Sequence, residues 1–280
     1  MDETKLSKDR KEVLERIKEY EAKGWFDKDV ENDPIAPQLK PEAVDYLCEK
    51  FSSKVARRIA NFVADRYYLR LIRKKELVID GVEGTEHLHA LAKGAIITCN
   101  HFSAFDNYIV FHCIRGALPR KYLYKIIREG NYTNFPGLYG FFFRHCDTLP
   151  LSSNRRTMIN FMSATQTLLK RGESILIYPE QGMWWNYRKI RPFKTGGFKI
   201  AYRAGVPVLP TFISLQDDER LDKNGYPVQR HFLHILPPVY PDLSLGEKLG
   251  AEKMRDEVYA LCVAKYERVY GVALEYGEKA

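Results

Sequence analysis

The sequence predicts an α/β fold, in which a mostly parallel mixed sheet is flanked by helices and preceded by an N-terminal helical extension. Two observations support this prediction. Beyond residue 76, short apolar runs typical of buried strands alternate with segments of helical periodicity, as in sheets whose parallel strands are joined by helices. The length of 280 residues and the hydrophobic content of 45% suit one large domain, or one domain with an extension. We therefore expect an N-terminal helical region over residues 1–75 and a larger α/β domain over residues 76–280.

The predicted extension begins with a polar helix over residues 1–24. Three prolines between residues 31 and 41 then indicate an extended connection. A long helix is predicted over residues 41–75, because apolar residues recur there at spacings of three and four, namely Phe51, Val55, Ile59, Phe62 and Val63.

This long helix is also strongly basic. Residues 51–75 hold eight Lys or Arg residues and one acid, Asp65. A basic amphipathic helix can lie in a membrane interface with its cations toward anionic head groups, and we expect that role here. The alternative is a helix that packs on its own domain and exposes its charged face to solvent.

The elements of the larger region follow in alternation. Strands are predicted at residues 77–79, 95–98, 122–127, 148–151, 174–178, 206–215 and 232–236. Helices are predicted after Ser103 and at residues 154–170, 195–204 and 247–270.

Charge and targeting signals narrow the expected location. The net charge is +8, and a second basic stretch, residues 181–216, contains six Lys or Arg residues and no acid. Concentrated positive charge favours phosphate-bearing partners, but no nucleic-acid-binding signature accompanies it. No apolar run is long enough to span a bilayer, and the first residues lack the apolar stretch of a signal peptide. We expect peripheral attachment to an anionic membrane surface on the cytoplasmic side.

The first candidate site follows the strand at 95–98. His101 stands just beyond the carboxyl end of this strand, where α/β proteins place reactive groups. Asp106, five residues further, can bind one imidazole nitrogen and make the other a general base. However, Ser103 and Asp106 also have the spacing of a helix capping box, and His101 would then be an ordinary strand-end histidine.

The second candidate site follows the strand at 174–178. Glu180 and Gly182 stand beyond that strand and should open on the same sheet edge as His101. Lys194, beside Gly196 and Gly197 at a predicted helix start, could offer an ammonium group and free amides to a phosphate. The alternative is a solvated basic loop. Five cysteines without a Cys-x-x-Cys pair argue against a zinc site or a disulfide framework, and we expect no metal.

Four ordered blocks resemble the glycerolipid acyltransferases, in particular the 1-acylglycerol-3-phosphate (lysophosphatidate) acyltransferases. They read Asn-His-x-Ser-x-x-Asp at 100–106, Tyr-Pro-Glu-x-Gly at 178–182, Pro-Phe-Lys-x-Gly at 192–196 and Val-Pro-Val-Leu-Pro at 206–210. The likeness covers about residues 77–240 and favours a catalytic His101–Asp106 pair over a plain cap. It implies the fold of that family and the transfer of a fatty acyl group from acyl-CoA or acyl-carrier protein to lysophosphatidate, giving phosphatidate in phospholipid biosynthesis.

The resemblance also implies residue roles. His101 would take the proton of the acceptor hydroxyl as it attacks the thioester, and Asp106 would orient the imidazole. Glu180 and Gly182 would help to bind the glycerol phosphate of the acceptor, with positive charge from Lys194. No cofactor is implied beyond the acyl donor itself.

Two departures from the family pattern concern the acceptor. The arginine of the family's second block is missing from Gln181-Gly182-Met183, and Arg188 or Arg191 would replace it. A further block that usually contains arginine reads Leu151-Ser152-Ser153, so Arg155 or Arg156 would have to serve. A different acceptor (glycerol 3-phosphate, another lysolipid or an amine) therefore stays open, as does a non-enzymatic basic lipid-binding module.

Two aromatic clusters complete the predictions. Tyr139 and residues 141–143 either wall an acyl channel or form an ordinary buried segment. Trp184 and Trp185 are expected in a half-wet position such as a membrane interface, which indole rings favour.

Overall fold

The structure, a computed structural model, describes residues 8–277, which form eight α-helices around one seven-stranded sheet. The first seven residues of the predicted N-terminal helix lie outside the described residues. The strands are β1 (Val78–Glu83), β2 (Ile96–Thr98), β3 (Leu123–Ile127), β4 (Thr148–Pro150), β5 (Ser174–Ile177), β6 (Val208–Leu221) and β7 (Pro227–Ile235). The α-helices are α1 (Lys8–Ala22), α2 (Phe51–Arg73), α3 (Asp106–Ile114), α4 (Glu129–Thr133), α5 (Gly137–His145), α6 (Arg155–Lys170), α7 (Gly196–Ala204) and α8 (Glu247–Tyr270).

The sheet is mixed and mostly parallel, as predicted. Its strand order is β1-β7-β6-β2-β5-β3-β4, and only the β6–β7 pair is antiparallel. The short strand β2 lies between β5 and β6, with Ile96 opposite Ile175 and Val208. Because β2 and β5 are parallel neighbours, the segments that follow them leave the same edge of the sheet.

Helices cover both faces of the sheet and produce two cores. Successive residues of a strand point to opposite faces. Ile96 of β2 accordingly packs with Phe161 and Phe198 from α6 and α7, whereas Ile97 packs with Ile109 of α3 and with α2. All five of these named side chains are fully or almost fully buried, which explains the continuous apolar runs of the central strands.

The predicted long helix over 41–75 is wrong at its start. Helix α2 begins at Phe51, and residues 41–43 form only a 3-10 turn. Cys48 has a φ of +54°, a left-handed conformation through which an α-helix cannot run. The Asp45 carboxylate accepts hydrogen bonds from the amides of Glu49 and Lys50 and so stabilises this break. The two short helices α4 and α5 were not predicted.

The expectation for Trp184 is also wrong. Its ring is fully buried in a small core with Val13 and Ile17 of α1 and with Val30. The indole Nε1 donates to the carbonyl of Lys28 at 3.3 Å, so its polar edge is satisfied without water. Trp185 is half-buried, with Arg10 over its ring. Helix α1 therefore has an apolar face that packs on the loop after β5.

Candidate active site

Three parallel strands bring the candidate residues to one edge of the sheet. In the order β2-β5-β3, the segments beyond the carboxyl ends contain His101, Glu180 and Arg128. Such an edge is where open α/β sheets bind ligands. Arg128 was not singled out from the sequence, although it follows the predicted strand 122–127 as directly as the others follow theirs.

His101 and Asp106 form the hydrogen-bonded pair that the sequence predicts. The Nδ1 atom of His101 lies 2.9 Å from Oδ2 of Asp106, whose side chain is fully buried. Within the described residues no group bonds to Nε2 of His101, and the residue lines a large cavity. A carboxylate at Nδ1 holds the proton there and leaves the Nε2 lone pair free to accept one. The pair therefore has the arrangement of a general base.

The capping interpretation is partly correct as well. The same Oδ2 atom of Asp106 accepts from the amides of Phe102 at 3.0 Å and Ser103 at 3.3 Å, which ties down the turn before α3. The Ser103 hydroxyl accepts from the amide of Phe105 at 3.1 Å, and α3 begins at Asp106 rather than after Ser103. One carboxylate thus fixes both the turn and the imidazole.

Tyr178 supports His101 from the neighbouring strand segment. The two rings stack with centroids 3.9 Å apart and an interplanar angle of 13°. Burial raises the pKa of Tyr178 well above its usual value, so the phenol is neutral beside the imidazole. No role was predicted for Tyr178, although it is the first residue beyond β5.

Glu180 and Arg191 form a buried ion pair beneath the loop after β5. Nη2 of Arg191 donates to Oε2 of Glu180 at 2.9 Å, and both side chains are almost completely inaccessible. Nη2 of Arg191 also donates to the Gly182 carbonyl, and Glu180 accepts from the backbone amide of His101 at 3.3 Å. Glu180 lies at the cavity wall, but Arg191 does not line the cavity. This contact network positions the His101 backbone and holds Arg191 away from the cavity.

The remaining predicted binding residues divide into two groups. Gly182 and Lys194 line the cavity with His101, as does Arg128, whose Nη2 donates to the Gln181 carbonyl at 3.1 Å. Arg155 and Arg156 are exposed at the start of α6 and do not line it.

The segment Leu151-Ser152-Ser153 is hydrogen-bonded to Glu129 of α4. Both carboxylate oxygens of Glu129 accept from it, from the Ser152 hydroxyl at 2.6 Å and from the Ser153 amide at 3.1 Å. Of these three arginines, Arg128 lines the cavity, whereas Arg155 and Arg156 do not.

The cavity beside His101 is large and mainly apolar. Its volume is about 1580 Å³, above the roughly 300–1,000 Å³ usual for small-molecule sites. Aromatic side chains form much of its wall, including Phe105, Phe135, Tyr139, Phe142, Phe143 and Phe161. Of the four aromatic residues considered for an acyl channel, Tyr139, Phe142 and Phe143 line this cavity. Phe141 packs between helices α2 and α5 instead. A cavity of this size and polarity suits a long hydrocarbon chain.

No metal centre is evident in residues 8–277: no three His, Cys, Asp or Glu side chains there are grouped closely enough to hold an ion.

The structure thus combines a mostly parallel sheet with a His–Asp pair at its strand edge and a large, mainly apolar cavity. Residues 81–214 match the model of the Acyltransferase family, which confirms the resemblance carried by the four sequence blocks. The lysophosphatidate acyltransferase PlsC from Thermotoga maritima has a similar structure, with a TM-score of 0.52 at 22% identity over 80% of this chain and 81% of that one. This likeness confirms the predicted fold.

Two curated proteins are similar in sequence. A chloroplastic 1-acyl-sn-glycerol-3-phosphate acyltransferase from Brassica napus is 28% identical over 130 residues, 46% of this chain and 35% of that protein. A probable 1-acyl-sn-glycerol-3-phosphate acyltransferase from Mycoplasma pneumoniae is 30% identical over 97 residues, 31% of this chain and 36% of its own length. The matched part of the chain thus spans about a third of each of these relatives.

Proposed function

We propose that this protein is an O-acyltransferase that moves a fatty acyl group from an acyl thioester to the free hydroxyl of a lysoglycerolipid. The observation that carries this proposal is the imidazole of His101, fixed at Nδ1 by buried Asp106 and open at Nε2 toward the apolar cavity. The family match over residues 81–214 supports the same reaction class.

The reaction follows from that geometry. Nε2 of His101 removes the proton of the acceptor hydroxyl as its oxygen attacks the thioester carbonyl, and the Asp106 carboxylate stabilises the imidazolium that forms. When the tetrahedral intermediate collapses, the carbon–sulfur bond breaks and the imidazolium returns the proton to the departing thiolate. The products are an ester and a free thiol, and the histidine is restored. Tyr178 stacks on the ring and limits its rotation during both proton transfers.

The names of the two relatives indicate 1-acylglycerol-3-phosphate as an acceptor, and phosphatidate would then be the product, a step in phospholipid biosynthesis. Arg128 and Lys194 line the cavity near the strand edge and supply positive charge for the phosphate. The donor would be acyl-CoA or acyl-carrier protein, with its acyl chain in the aromatic part of the cavity.

Helix α2 supports peripheral attachment to the cytoplasmic face of an anionic membrane. Phe51 and Phe62 are 82% and 61% exposed, Val55 and Ile59 are exposed on the same helix, and exposed cations surround them. Asn61, Ala64 and Tyr68 of α2 line the cavity, so a lipid could pass from the bilayer to His101 along this helix. None of the helices within residues 8–277 combines the length and the apolar character required to cross a bilayer.

The direct test is to incubate the purified protein with 1-acylglycerol-3-phosphate and either acyl-CoA or acyl-carrier protein. We expect stoichiometric formation of free thiol and of diacylated lipid, measured by a thiol reagent and by lipid mass spectrometry. Thiol release without a lipid product would indicate a thioesterase, and release of no thiol with either donor would contradict the proposal.

A further inference from the structure

An acidic segment of the N-terminal region forms one side of the cavity. It runs from Phe26 to Asp33, between α1 and the proline-containing connection, and is called the acidic strap below. The carboxylates of Asp27, Asp29 and Asp33 line the same cavity as His101.

These carboxylates pair with both cations of the proposed phosphate subsite. The ammonium of Lys194 forms an ion pair with Asp27. Nη1 of Arg128 pairs with Asp29 and lies 3.4 Å from Oδ2 of Asp33. A phosphate that approaches either cation therefore meets at least one carboxylate in direct contact with it.

The acidic strap is packed against the rest of the fold. Val30 is fully buried in the small core that also contains Trp184. The carbonyl of Lys28 accepts from the Trp184 indole at 3.3 Å, and the carbonyl of Phe26 accepts from Nη1 of Arg191 at 3.4 Å. These contacts hold the backbone of the acidic strap beside the cavity.

We propose that Asp27, Asp29 and Asp33 determine head-group specificity: they disfavour a bare phosphate monoester and admit a zwitterionic lysophospholipid, whose phosphate carries an ammonium group. This inference rests on the proposed acyl transfer and widens its acceptor class. A phosphate monoester brings close to two negative charges beside these carboxylates, and like charges in contact repel each other. An attached ammonium finds partners, since the Asp27 and Asp33 side chains are 72% and 51% exposed.

The test compares two acceptors that differ only in the head group, 1-oleoyl-glycerol-3-phosphate and 1-oleoyl-glycerophosphoethanolamine, with one acyl donor. We expect the wild-type protein to acylate both. The variant Asp27→Asn/Asp29→Asn/Asp33→Asn should raise the ratio of kcat/KM for the monoester over the ethanolamine lipid at least about tenfold. If this variant does not fold, Asp27→Asn, which alters only an exposed carboxylate, should shift the ratio in the same direction.

The matched control is Asp80→Asn/Asp218→Asn/Asp242→Asn, which makes the same change in net charge. Each of these aspartates also pairs with a surface cation, but none lines the cavity. The control should keep the wild-type ratio. An unchanged ratio in the acidic-strap variant, or a wild-type protein that acylates the monoester alone, would overturn the inference.

A binding measurement separates failure of this inference from failure of the proposed function. Glycerol 3-phosphate is titrated into each protein without a donor, and the acidic-strap variant should bind it more tightly than the wild type. Suppose that neither protein transfers acyl groups but the acidic-strap variant still binds glycerol 3-phosphate more tightly than the wild type. The proposed acyl transfer is then refuted, whereas the inference that the carboxylates screen Lys194 and Arg128 from a phosphate is supported. If binding does not tighten, the specificity inference fails whatever the activity.

Discussion

At the scale of single residues, the ring and the hydroxyl group of Tyr178 have different surroundings. The ring holds His101 in plane, whereas the phenol oxygen is buried and has no hydrogen-bond partner within the described residues. A buried unpaired hydroxyl costs free energy, so its loss should not harm the protein.

We therefore predict that Tyr178→Phe keeps near-normal kcat and equal or greater stability, because the stacked ring remains. Tyr178→Ala should lower kcat on the order of tenfold or more, because a mispositioned base loses rate steeply. Steady-state kinetics and urea unfolding of both variants provide the measurement. Loss of activity in Tyr178→Phe would instead assign a chemical role to the hydroxyl.

The buried pair Glu180–Arg191 leads to a second prediction, about stability. Glu180→Gln leaves the Arg191 charge buried without its counter-ion, which typically costs about 3–5 kcal/mol. Urea unfolding should show this loss in the free energy of unfolding. Glu86→Gln, at an exposed glutamate, should show little change. A Glu180→Gln protein of wild-type stability with a raised acceptor KM would instead support the ligand-binding role implied by the family resemblance.

At the scale of elements, the cations of helix α2 point in two directions. Arg57 points inward: it pairs with Asp147, donates to the Tyr124 hydroxyl at 3.0 Å and lies over the Tyr122 ring. Lys54, Arg58 and Arg66 are exposed among the apolar side chains of the outer face. These three cations, with the exposed Arg70 and Arg73, are available to a membrane, whereas Arg57 is not.

The third prediction uses that division. Lys54→Glu/Arg58→Glu/Arg66→Glu should abolish sedimentation with anionic vesicles, since each cation near such a surface contributes about 1 kcal/mol. Turnover of a short-chain, soluble acceptor should be spared. Wild-type binding should be weak on neutral vesicles and should decrease with salt.

The control for this prediction reverses three exposed cations on α1 and α8, as Lys18→Glu/Lys248→Glu/Arg268→Glu. It makes the same change in net charge and should still bind anionic vesicles. Equal binding by both variants would show that α2 is not the attachment surface.

The sequence was most informative where local chemistry and topology agree. The apolar runs of β2 and β5 predict buried parallel strands, and parallel neighbours place His101 and Glu180 at one edge whatever the rest of the chain does. The His101–Asp106 contact needs only five residues of turn and was also predictable. The start of α2 was not, because the break at residues 44–50 depends on a single aspartate that binds backbone amides.

Contacts between segments that are distant along the chain could not be predicted from the sequence. The pairing of Arg191 with Glu180, the burial of Trp184 under α1 and the neutralisation of Arg128 by Asp29 join residues that periodicity cannot connect. Arg128 itself could have been found, since it follows a predicted strand. Its aspartate partners could not, because the chain between residues 24 and 41 has no regular pattern that fixes its path.

At the scale of the whole molecule, Glu83 connects the edge strand β1 to the last helix. One of its oxygens accepts from Lys265 of α8 and from Nδ1 of His234 of β7, each at 2.7 Å. The hydrogen bond from Lys265, followed by that from His234, lowers the pKa of Glu83 to about 2. The folded protein therefore holds this carboxylate ionised at a pH where the unfolded chain protonates it.

The fourth prediction concerns acid stability. A lowered folded-state pKa stabilises the protein above the unfolded value near 4.5, and this contribution is lost as pH falls toward about 2. The urea midpoint of the wild type should therefore decline more than that of Glu83→Gln across this interval. The difference should be modest, because the Glu83 side chain is half exposed. Parallel pH profiles would contradict the assignment.

The central claim is that His101 is the general base of an acyl transfer, and His101→Ala tests it most directly. Because general-base assistance is typically worth about 10²–10⁴-fold, kcat should fall by that factor, with Asp106→Asn between His101→Ala and the wild type. Thiol release and lipid product are measured together, and circular dichroism verifies folding. We predict a folded His101→Ala protein that forms almost no diacylated lipid. Near-normal acyl transfer by that folded variant would contradict the account.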